Sequence, residues 1–329
     1  MTRVEICPSA AVIDAEPNLA DFDFKDSVAH SLSQRPRRLA SKWLYDDIGA
    51  ALFERVVASS GYYAARAELE ILGRHGPEIA QAFGSGGSLV ELGSGASVKV
   101  RRLLDAMPSL IRYVPVEISE AQLLKAAEDI RGDYPALEVV PIAADFTKDF
   151  DLSDVVGDGP VLGFFPGSTL CNLLPESSEA FLGRMHALLG AESRFLVGVD
   201  LQKDEAILRR AYNEPGGAIW DFNLNILERL NRELGADLDK SDFRHEAIYN
   251  TDHHRIEAAI YPLRDLSVTV AGQTFDLPAA QPIILEYSHK YTLEGFAALA
   301  ARAGWSTVKA WTDKGKLFSV HLLTNGANP

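Results

Sequence analysis

The sequence predicts an α/β fold in which a doubly wound, mostly parallel sheet is interrupted by a separate α+β unit. Three observations support this prediction. Short apolar runs alternate with amphipathic helical segments over residues 63–201. The first of these runs ends in a glycine-rich turn, Gly93-Ser-Gly95, as in sheets that bind nucleotides. The alternation stops over residues 202–290, and it resumes with a helix and two strands within residues 291–329.

Composition excludes several functional classes. The chain has 329 residues, of which 47% are hydrophobic and 24% charged, as in folded globular proteins. Its 32 basic and 46 acidic residues give a formal net charge of −14, which argues against a nucleic acid partner. Neither a signal peptide nor an apolar run of about 20 residues is present, so we expect no membrane partner and a cytoplasmic location. The only cysteines, Cys7 and Cys171, exclude a disulfide framework and a thiolate metal site, and we expect no metal.

Periodicity assigns the elements in order. Residues 1–22 lack any period and predict a flexible arm, and residues 23–62 predict a helical lead-in broken at Pro36. We assign residues 23–62 and 202–290 to one domain, and residues 63–201 and 291–329 to the sheet domain. Helices are predicted over residues 64–83, 97–107, 120–134, 178–189, 218–234 and 293–303. Strands are predicted over residues 88–92, 113–117, 138–142, 161–165, 194–200, 253–261, 266–270, 283–288, 305–312 and 317–323.

The glycine turn favours an adenosyl ligand without phosphates. A dinucleotide fingerprint needs a third glycine where this chain has Val98. Glu117 ends the next strand, where acidic residues bind a ribose diol. Asp145-Phe146 follows the third strand and offers a polar contact and an apolar surface to an adenine ring. Each feature has a structural alternative, namely a simple turn, an exposed strand end and a core phenylalanine, but all follow the carboxyl ends of successive strands, where α/β sheets bind ligands.

A second cluster of polar residues follows the fourth strand. The segment Pro166-Gly-Ser-Thr169 is followed by Asn172, whose amide offers a donor and an acceptor to a polar group such as a carboxylate. The alternative is that Asn172 serves a turn before Pro175. We predict that the substrate lies beside this segment.

Several motifs occur in a distinctive order along the chain. They are Leu44-Tyr-Asp-Asp-Ile-Gly49, Gly61-Tyr-Tyr63, Arg66-Ala-Glu68, Glu91-Leu-Gly-Ser-Gly95, Tyr113-Val-Pro-Val-Glu117, Phe165-Pro-Gly-Ser-Thr169, Asn172-Leu173 and Glu286-Tyr-Ser288. This order resembles that of the histidine-specific Nα-methyltransferases, which make histidine betaine for ergothioneine biosynthesis. The resemblance extends over nearly the whole chain after about residue 25. It implies a class I methyltransferase, Rossmann-like sheet with an inserted substrate-binding domain.

The resemblance also implies ligands and residue roles. The co-substrate is S-adenosylmethionine (SAM), and the substrate is L-histidine or a related amino acid. The residues implied to bind SAM are Gly93, Ser94, Lys99, Glu117, Asp145 and Phe146, with Tyr45 bordering the cleft. The residues implied to bind the amino acid are Asn172 and Tyr212 at its carboxylate, Glu286 and Ser288 at its imidazole, and Gly167 and Tyr62 near its amine. Tyr62 is the candidate catalytic residue, because its phenol can accept a hydrogen bond from the amine and orient it.

The chain departs from the family at two places. Ala258 stands where the family has methionine, and Ala64-Ala65 replaces Pro-Thr. Loss of the methionine widens the pocket if Ala258 faces the substrate, so a methyltransferase for another, aromatic amino acid is one alternative. A non-catalytic SAM-binding subunit is a second alternative, and a nicotinamide-dependent dehydrogenase is disfavoured by Val98. His289 and the pair His253-His254 have no assigned role, and we expect surface or core positions for them.

Overall fold

The chain folds around an eight-stranded sheet. The computed structural model describes residues 23–95, 97–214 and 217–326, so the predicted flexible arm lies outside the described residues. The helices are α1 (Phe24–Ser33), α2 (Asp47–Ala58), α3 (Tyr63–Phe83), α4 (Val98–Ala106), α5 (Glu120–Asp133), α6 (Ser153–Val156), α7 (Pro175–Leu189), α8 (Glu205–Tyr212), α9 (Ala218–Leu234) and α10 (Leu293–Arg302). The strands are β1 (Arg37–Arg38), β2 (Ser88–Leu92), β3 (Arg112–Glu117), β4 (Glu138–Val139), β5 (Ile142–Ala143), β6 (Val161–Phe165), β7 (Arg194–Asp200), β8 (Phe243–Asn250), β9 (Arg255–Pro262), β10 (Leu266–Val270), β11 (Gln273–Leu277), β12 (Ile283–His289), β13 (Ser306–Thr312) and β14 (Phe318–Thr324).

The large sheet has the strand order β13-β14-β7-β6-β2-β3-β4, and β5 also pairs with β3. Strands β2 to β7 of this sheet are mutually parallel, β14 is antiparallel to β7, and β13 is antiparallel to β14. The chain order reverses between β2 and β6, which is where open α/β sheets form a ligand cleft. This is the class I methyltransferase arrangement, and the predicted fold class is confirmed.

Alternate residues of the sheet face two different cores. Leu89 and Phe164 pack with helices α3, α4 and α5 on one face. Val90 and Phe165 pack with α7 and α10 on the other. Because successive side chains point to opposite faces, a parallel strand covered on both sides is apolar throughout. Strands β2 and β6 are accordingly buried at every position.

A second sheet lies in the segment that interrupts the large one. Its order is β1-β12-β9-β8, with β12, β9 and β8 antiparallel and β1 parallel to β12. Strands β10 and β11 form a separate hairpin. Residues 23–62 join this unit through β1 and through the packing of α2 on α9. The packing supports the proposed grouping of residues 23–62 with 202–290, whose boundaries stay a prediction.

Some predicted elements differ from the structure. The strand predicted over residues 138–142 is two short strands, and the strand predicted from residue 253 begins at Arg255. His253 and His254 therefore lie in the turn between β8 and β9, not on a strand, and both are exposed. Strands β1, β8 and β11 and helices α6 and α8 were not predicted. In β8 the buried positions include His245, so a polar residue on the buried face hid the alternation. No helix in the described part of the chain is long and apolar enough to span a membrane.

Candidate active site

The turn after β2 forms the floor of a cleft. Gly93 and Gly95 have φ angles of +69° and +47°, in the left-handed region that favours glycine. The Gly93 amide donates to the Val116 carbonyl at 2.8 Å, which ties the turn to β3. The Glu117 carboxylate accepts a hydrogen bond from the Gly95 amide at 3.2 Å. Strands β2 and β3 thus bring the predicted glycine turn and the predicted acidic residue Glu117 together.

The cleft contains polar and apolar groups that fit an adenosyl ligand. The Ser94 hydroxyl is buried and has no hydrogen-bond partner among the described residues, so a ligand atom can satisfy it. A Cβ on Gly93 would lie 3.4 Å from the Phe146 ring, so this glycine and ring form one wall. A free hydroxyl, a carboxylate on Glu117 and an aromatic wall are complementary to the polar and aromatic parts of SAM.

Asp145 is ionised at the edge of this cleft. Its burial raises the pKa, but hydrogen bonds from Thr147 and the neighbouring Lys42 ammonium outweigh that effect and hold the pKa below its ordinary value. The Lys42 ammonium lies 3.2 Å from the carboxylate. The structure therefore places an acceptor-only group where the sequence predicts a polar contact.

A buried glutamate, Glu68, connects the two halves of the cleft. It is on α3 and fully buried, and its carboxylate pairs with the Lys99 ammonium at 2.7 Å. Both its oxygens also accept from the Gly167 amide, each at 3.0 Å. Lys99 thus points to a position between the glycine turn and the loop after β6. Glu68 was quoted in the motif but given no role, although a carboxylate on the apolar face of an amphipathic helix is a signal for such a role.

The predicted substrate residues converge from three elements. Glu286 and Ser288 alternate on β12 and so share one face of the strand. The Asn172 amide, in the loop after β6, donates to the Glu286 carboxylate at 3.3 Å. The Tyr212 hydroxyl, at the end of α8, donates to the Ser288 hydroxyl at 3.1 Å.

Three tyrosines enclose this group. The rings of Tyr62 and Tyr212 lie 6.3 Å apart in an edge contact, and Tyr45 packs on Phe53 and Phe222. Burial raises the pKa of all three tyrosines well above its ordinary value, and the nearby Glu286 carboxylate raises it further. Tyr62 is therefore a neutral phenol, not a strong base. Glu117 also contributes to the raised pKa of the Tyr45 hydroxyl.

Glu286 itself is held in an unfavourable environment for a charge. Burial raises its pKa from 4.5 to about 7, although the Lys290 ammonium opposes the rise. A buried carboxylate of this kind is stabilised when a ligand donates a hydrogen bond to it.

A row of small side chains lies next to Glu286. Ala258 of β9 pairs directly with Glu286, and Ala247 of β8 pairs with Ala258. Directly paired residues of antiparallel strands project to the same face of a sheet. Ala258 and Ala247 are 2% and 1% exposed. Ala258 therefore borders Glu286, and whether it faces the substrate stays a prediction.

Comparison with known proteins identifies the family. A family profile described as "Histidine-specific methyltransferase, SAM-dependent" matches residues 24–325. The chain belongs to this family. The protein is therefore a SAM-dependent methyltransferase that takes a small amino acid substrate, as the sequence resemblance implied.

Curated relatives match most of the length of this methyltransferase. The "Histidine N-alpha-methyltransferase" of Mycobacterium tuberculosis is 36% identical over 90% of this chain and 92% of the relative. The protein of the same name from Mycolicibacterium smegmatis is 35% identical over 93% of this chain and 98% of the relative. "Ergothioneine biosynthesis protein 1" of Neurospora crassa is 28% identical over 96% of this chain, but over only 36% of that longer protein.

A buried charge cluster beneath the methyltransferase's pocket was missed by the sequence analysis. Asp200, at the end of β7, pairs with the ammonium groups of Lys203 at 2.5 Å and Lys290 at 2.7 Å. Its carboxylate also accepts from the Tyr63 hydroxyl at 2.8 Å. Lys290 continues the series of alternate residues Glu286 and Ser288, which share one face of β12. This spacing was the feature of the sequence that could have placed Lys290 near the pocket.

The histidines left unassigned take no part in the site. His289 is buried with its Nδ1 atom 3.0 Å from the Cys171 carbonyl, which is a core position. Among the residues that the structure describes, no cluster of three histidine, cysteine or acidic side chains has a metal-binding arrangement.

Proposed function

We propose that this enzyme transfers three methyl groups in succession from SAM to the α-amine of L-histidine. The product is Nα,Nα,Nα-trimethylhistidine, the betaine hercynine, made for ergothioneine biosynthesis. The observation that carries the proposal is the pocket in which Glu286 and Ser288 share one face of β12 beside Asn172 and Tyr212. A strand with an acceptor and a hydroxyl two residues apart can bond the two nitrogens of one imidazole ring.

The cofactor side of the proposal rests on the cleft after β2. We assign Gly93, Ser94, Glu117 and Asp145-Phe146 to SAM, with Lys99 and Tyr45 at the border with the substrate. When bound, SAM supplies an electrophilic methyl group on a sulfonium. The proposal includes no metal, since alkylation of an amine by a sulfonium requires none, and activity in the presence of a chelator checks this. We also propose that the enzyme is located in the cytoplasm.

The chain's own residues contribute binding and orientation. Methyl transfer needs the amine lone pair in line with the bond that breaks, so positioning supplies most of the rate. In the first two transfers the neutral phenol of Tyr62 accepts a hydrogen bond from an amine N–H and directs the lone pair. Each of the two ammonium products then loses a proton to solvent, and the tertiary amine of the third transfer, which has no N–H, is oriented by the contacts of its carboxylate and ring. The second amide proton of Asn172 is left to donate to the substrate carboxylate, which lies near Tyr212, and Gly167 lets the substrate amine approach the backbone. A third methylation leaves nitrogen without a lone pair or proton, so the reaction ends there.

Glu286 supplies the preference for histidine. A side chain that cannot donate a hydrogen bond leaves one oxygen of this carboxylate without a donor in the pocket, which strongly disfavours binding. Asn172 donates to one carboxylate oxygen, so the other remains for the ring N–H.

A second candidate function is methylation of another, aromatic amino acid. It is favoured by the small side chains of Ala258 and Ala247 beside Glu286, which present less bulk there than a methionine would. Retention of Glu286 and Ser288 favours histidine.

A competition experiment decides between the candidates. Purified enzyme is incubated with SAM and an equimolar mixture of the twenty amino acids, and mass spectrometry follows gains of one, two and three methyl groups. Histidine alone is expected to shift. A shift of an aromatic amino acid instead assigns the second function, and SAM binding without any shift rejects both.

A further inference from the structure

Lys290 is an ammonium group buried against the substrate pocket. It follows β12 directly, and its side chain is fully inaccessible to solvent. Its Nζ atom lies 2.6 Å from the Ser288 hydroxyl, 3.3 Å from the Tyr212 hydroxyl and 2.7 Å from the Asp200 carboxylate. An ammonium has three protons and no acceptor. Each proton therefore has one partner, and two of these partners belong to the pocket.

These contacts determine which way the Ser288 hydroxyl points. A hydroxyl has one proton and two lone pairs. The Ser288 oxygen accepts from Lys290 at 2.6 Å and from Tyr212 at 3.1 Å, so both lone pairs are used. Its proton cannot be directed at an ammonium, and the Tyr212 hydroxyl is the donor, not the acceptor, in its contact with Ser288. The remaining direction is the pocket that Ser288 shares with Glu286.

We propose that Lys290 is a positioning residue that holds the Ser288 hydroxyl as a hydrogen-bond donor toward the substrate ring. Glu286 then accepts from one ring nitrogen while Ser288 donates to the other. The site takes an uncharged azole with one N–H and one bare nitrogen, which is the neutral imidazole in a single tautomer. This inference rests on the proposed function and adds the charge state and hydrogen-bond polarity of the ring.

Asp200 fixes the charge and position of Lys290. Its own burial raises the pKa, but Lys290 and Lys203 outweigh that effect and keep the pKa low, so the carboxylate is ionised. Donation from a charged group also polarises the hydroxyl that accepts it, which strengthens that hydroxyl as a donor. Lys290 therefore acts on the ring through Ser288 and not by direct contact.

Lys203 provides a matched control. Its side chain is 4% exposed, against 0% for Lys290, and it pairs with the same carboxylate at 2.5 Å. Its other contacts are the Tyr63 hydroxyl and the Leu201 carbonyl, and no hydrogen bond joins it to Ser288 or Tyr212. Lys203→Met thus removes the same charge from the same cluster without touching the hydroxyl.

The test compares histidine with two analogues by calorimetry in the presence of S-adenosylhomocysteine. Pyrrol-2-yl-alanine and pyrrol-3-yl-alanine each keep one ring N–H and carry C–H in place of the bare nitrogen. The measured quantity is the dissociation constant of the tighter analogue divided by that of histidine. For the unmodified enzyme we expect a ratio of at least about ten, because each analogue loses the hydrogen bond from Ser288 and one such bond changes the affinity about tenfold.

The variants separate positioning from general damage. In Ser288→Ala the ratio is expected to fall to about one, since no donor remains to be lost. In Lys290→Met it should fall below about three, and Ser288→Ala/Lys290→Met should match Ser288→Ala alone. Lys203→Met should keep the ratio of the unmodified enzyme. A Lys290→Met enzyme that keeps a ratio of about ten overturns the inference, and so does a Lys203→Met enzyme that loses it.

Two further measurements keep the outcome unambiguous. If Lys290→Met does not fold, Asp200→Asn/Lys290→Met removes both partners of the buried pair and is measured in its place. Failure of the proposed function is seen separately, since the unmodified enzyme would then neither bind nor methylate histidine. An unmodified enzyme that methylates histidine but shows a ratio near one rejects only the donor role of Ser288.

Discussion

Replacing Glu286 by glutamine removes a buried charge while keeping the size of the side chain. The pKa of this carboxyl is raised from 4.5 to about 7 by burial. The folded protein therefore binds the proton more tightly than the unfolded chain, so the stability contributed by this group is present below about pH 4.5 and is lost as the pH rises through about 7. Above that pH, ionisation of Glu286 lowers the free energy of unfolding by at most about 3 kcal/mol relative to the protonated form. Glu286→Gln should recover part of it.

The assay is thermal unfolding of the ligand-free enzyme at two pH values. At about pH 8 Glu286→Gln should raise the free energy of unfolding by about 1–3 kcal/mol. At about pH 4.5 the gain should shrink below about 0.5 kcal/mol, because the unmodified carboxyl is then largely protonated. Glu246→Gln, the same change at an exposed carboxylate that pairs with Arg244 on β8, is the control and should stabilise at neither pH.

The same substitution should weaken histidine binding. The lost bond involves a charged acceptor, so we expect the dissociation constant to rise about 10- to 100-fold. Glu286→Gln thus trades stability against binding. A variant that is no more stable at about pH 8, or equally stabilised at about pH 4.5, would refute the burial argument, and unchanged histidine affinity would refute the role in binding.

Three other substitutions test the rest of the site. Glu117→Gln should raise the dissociation constant of SAM about tenfold or more, because the Glu117 carboxylate accepts a hydrogen bond from the Gly95 amide and offers its oxygens to the ligand. The dissociation constant of histidine alone, measured by calorimetry, should stay unchanged. Glu68→Gln leaves the Lys99 ammonium without its buried partner and should lower kcat/KM about tenfold or more; equal kcat/KM in steady-state assays would contradict this. Ala258→Met fills the space beside the imidazole pocket, so histidine turnover should persist while any turnover of phenylalanine, tyrosine or tryptophan falls; retained turnover of these larger rings would show that the alanine does not border the substrate.

The sheet was predictable because its strands are apolar runs of the right length. Strand β2 is buried at all five positions, and the glycines that follow it adopt the positive φ angles that the turn requires. The second sheet was predicted less well. Strand β8 alternates buried and partly exposed residues around His245, and β1 is two residues long, so neither has a clear apolar pattern. These strands form because β1 pairs with β12, which is distant in sequence, and β8 pairs with β9.

Some residues of the site were likewise predictable from the sequence and others were not. Residues carried by a motif, such as Glu117, Glu286 and Ser288, were predicted, and the structure brings the last two beside their expected neighbours. Glu68 and Lys290 were given no role, because their importance lies in what they contact across the fold. Each is buried and charged, a combination that a single sequence suggests only weakly and that contacts between distant elements reveal.

The measurement that tests the central claim most directly is identification of the product formed from L-histidine alone. Purified enzyme is incubated with SAM carrying a 13C-labelled methyl group, and the product is analysed by mass spectrometry and nuclear magnetic resonance. We expect one final product with three equivalent methyl groups on the α-nitrogen and three S-adenosylhomocysteine molecules per histidine. Methyl groups on a ring nitrogen, or a final product with fewer than three, would contradict it.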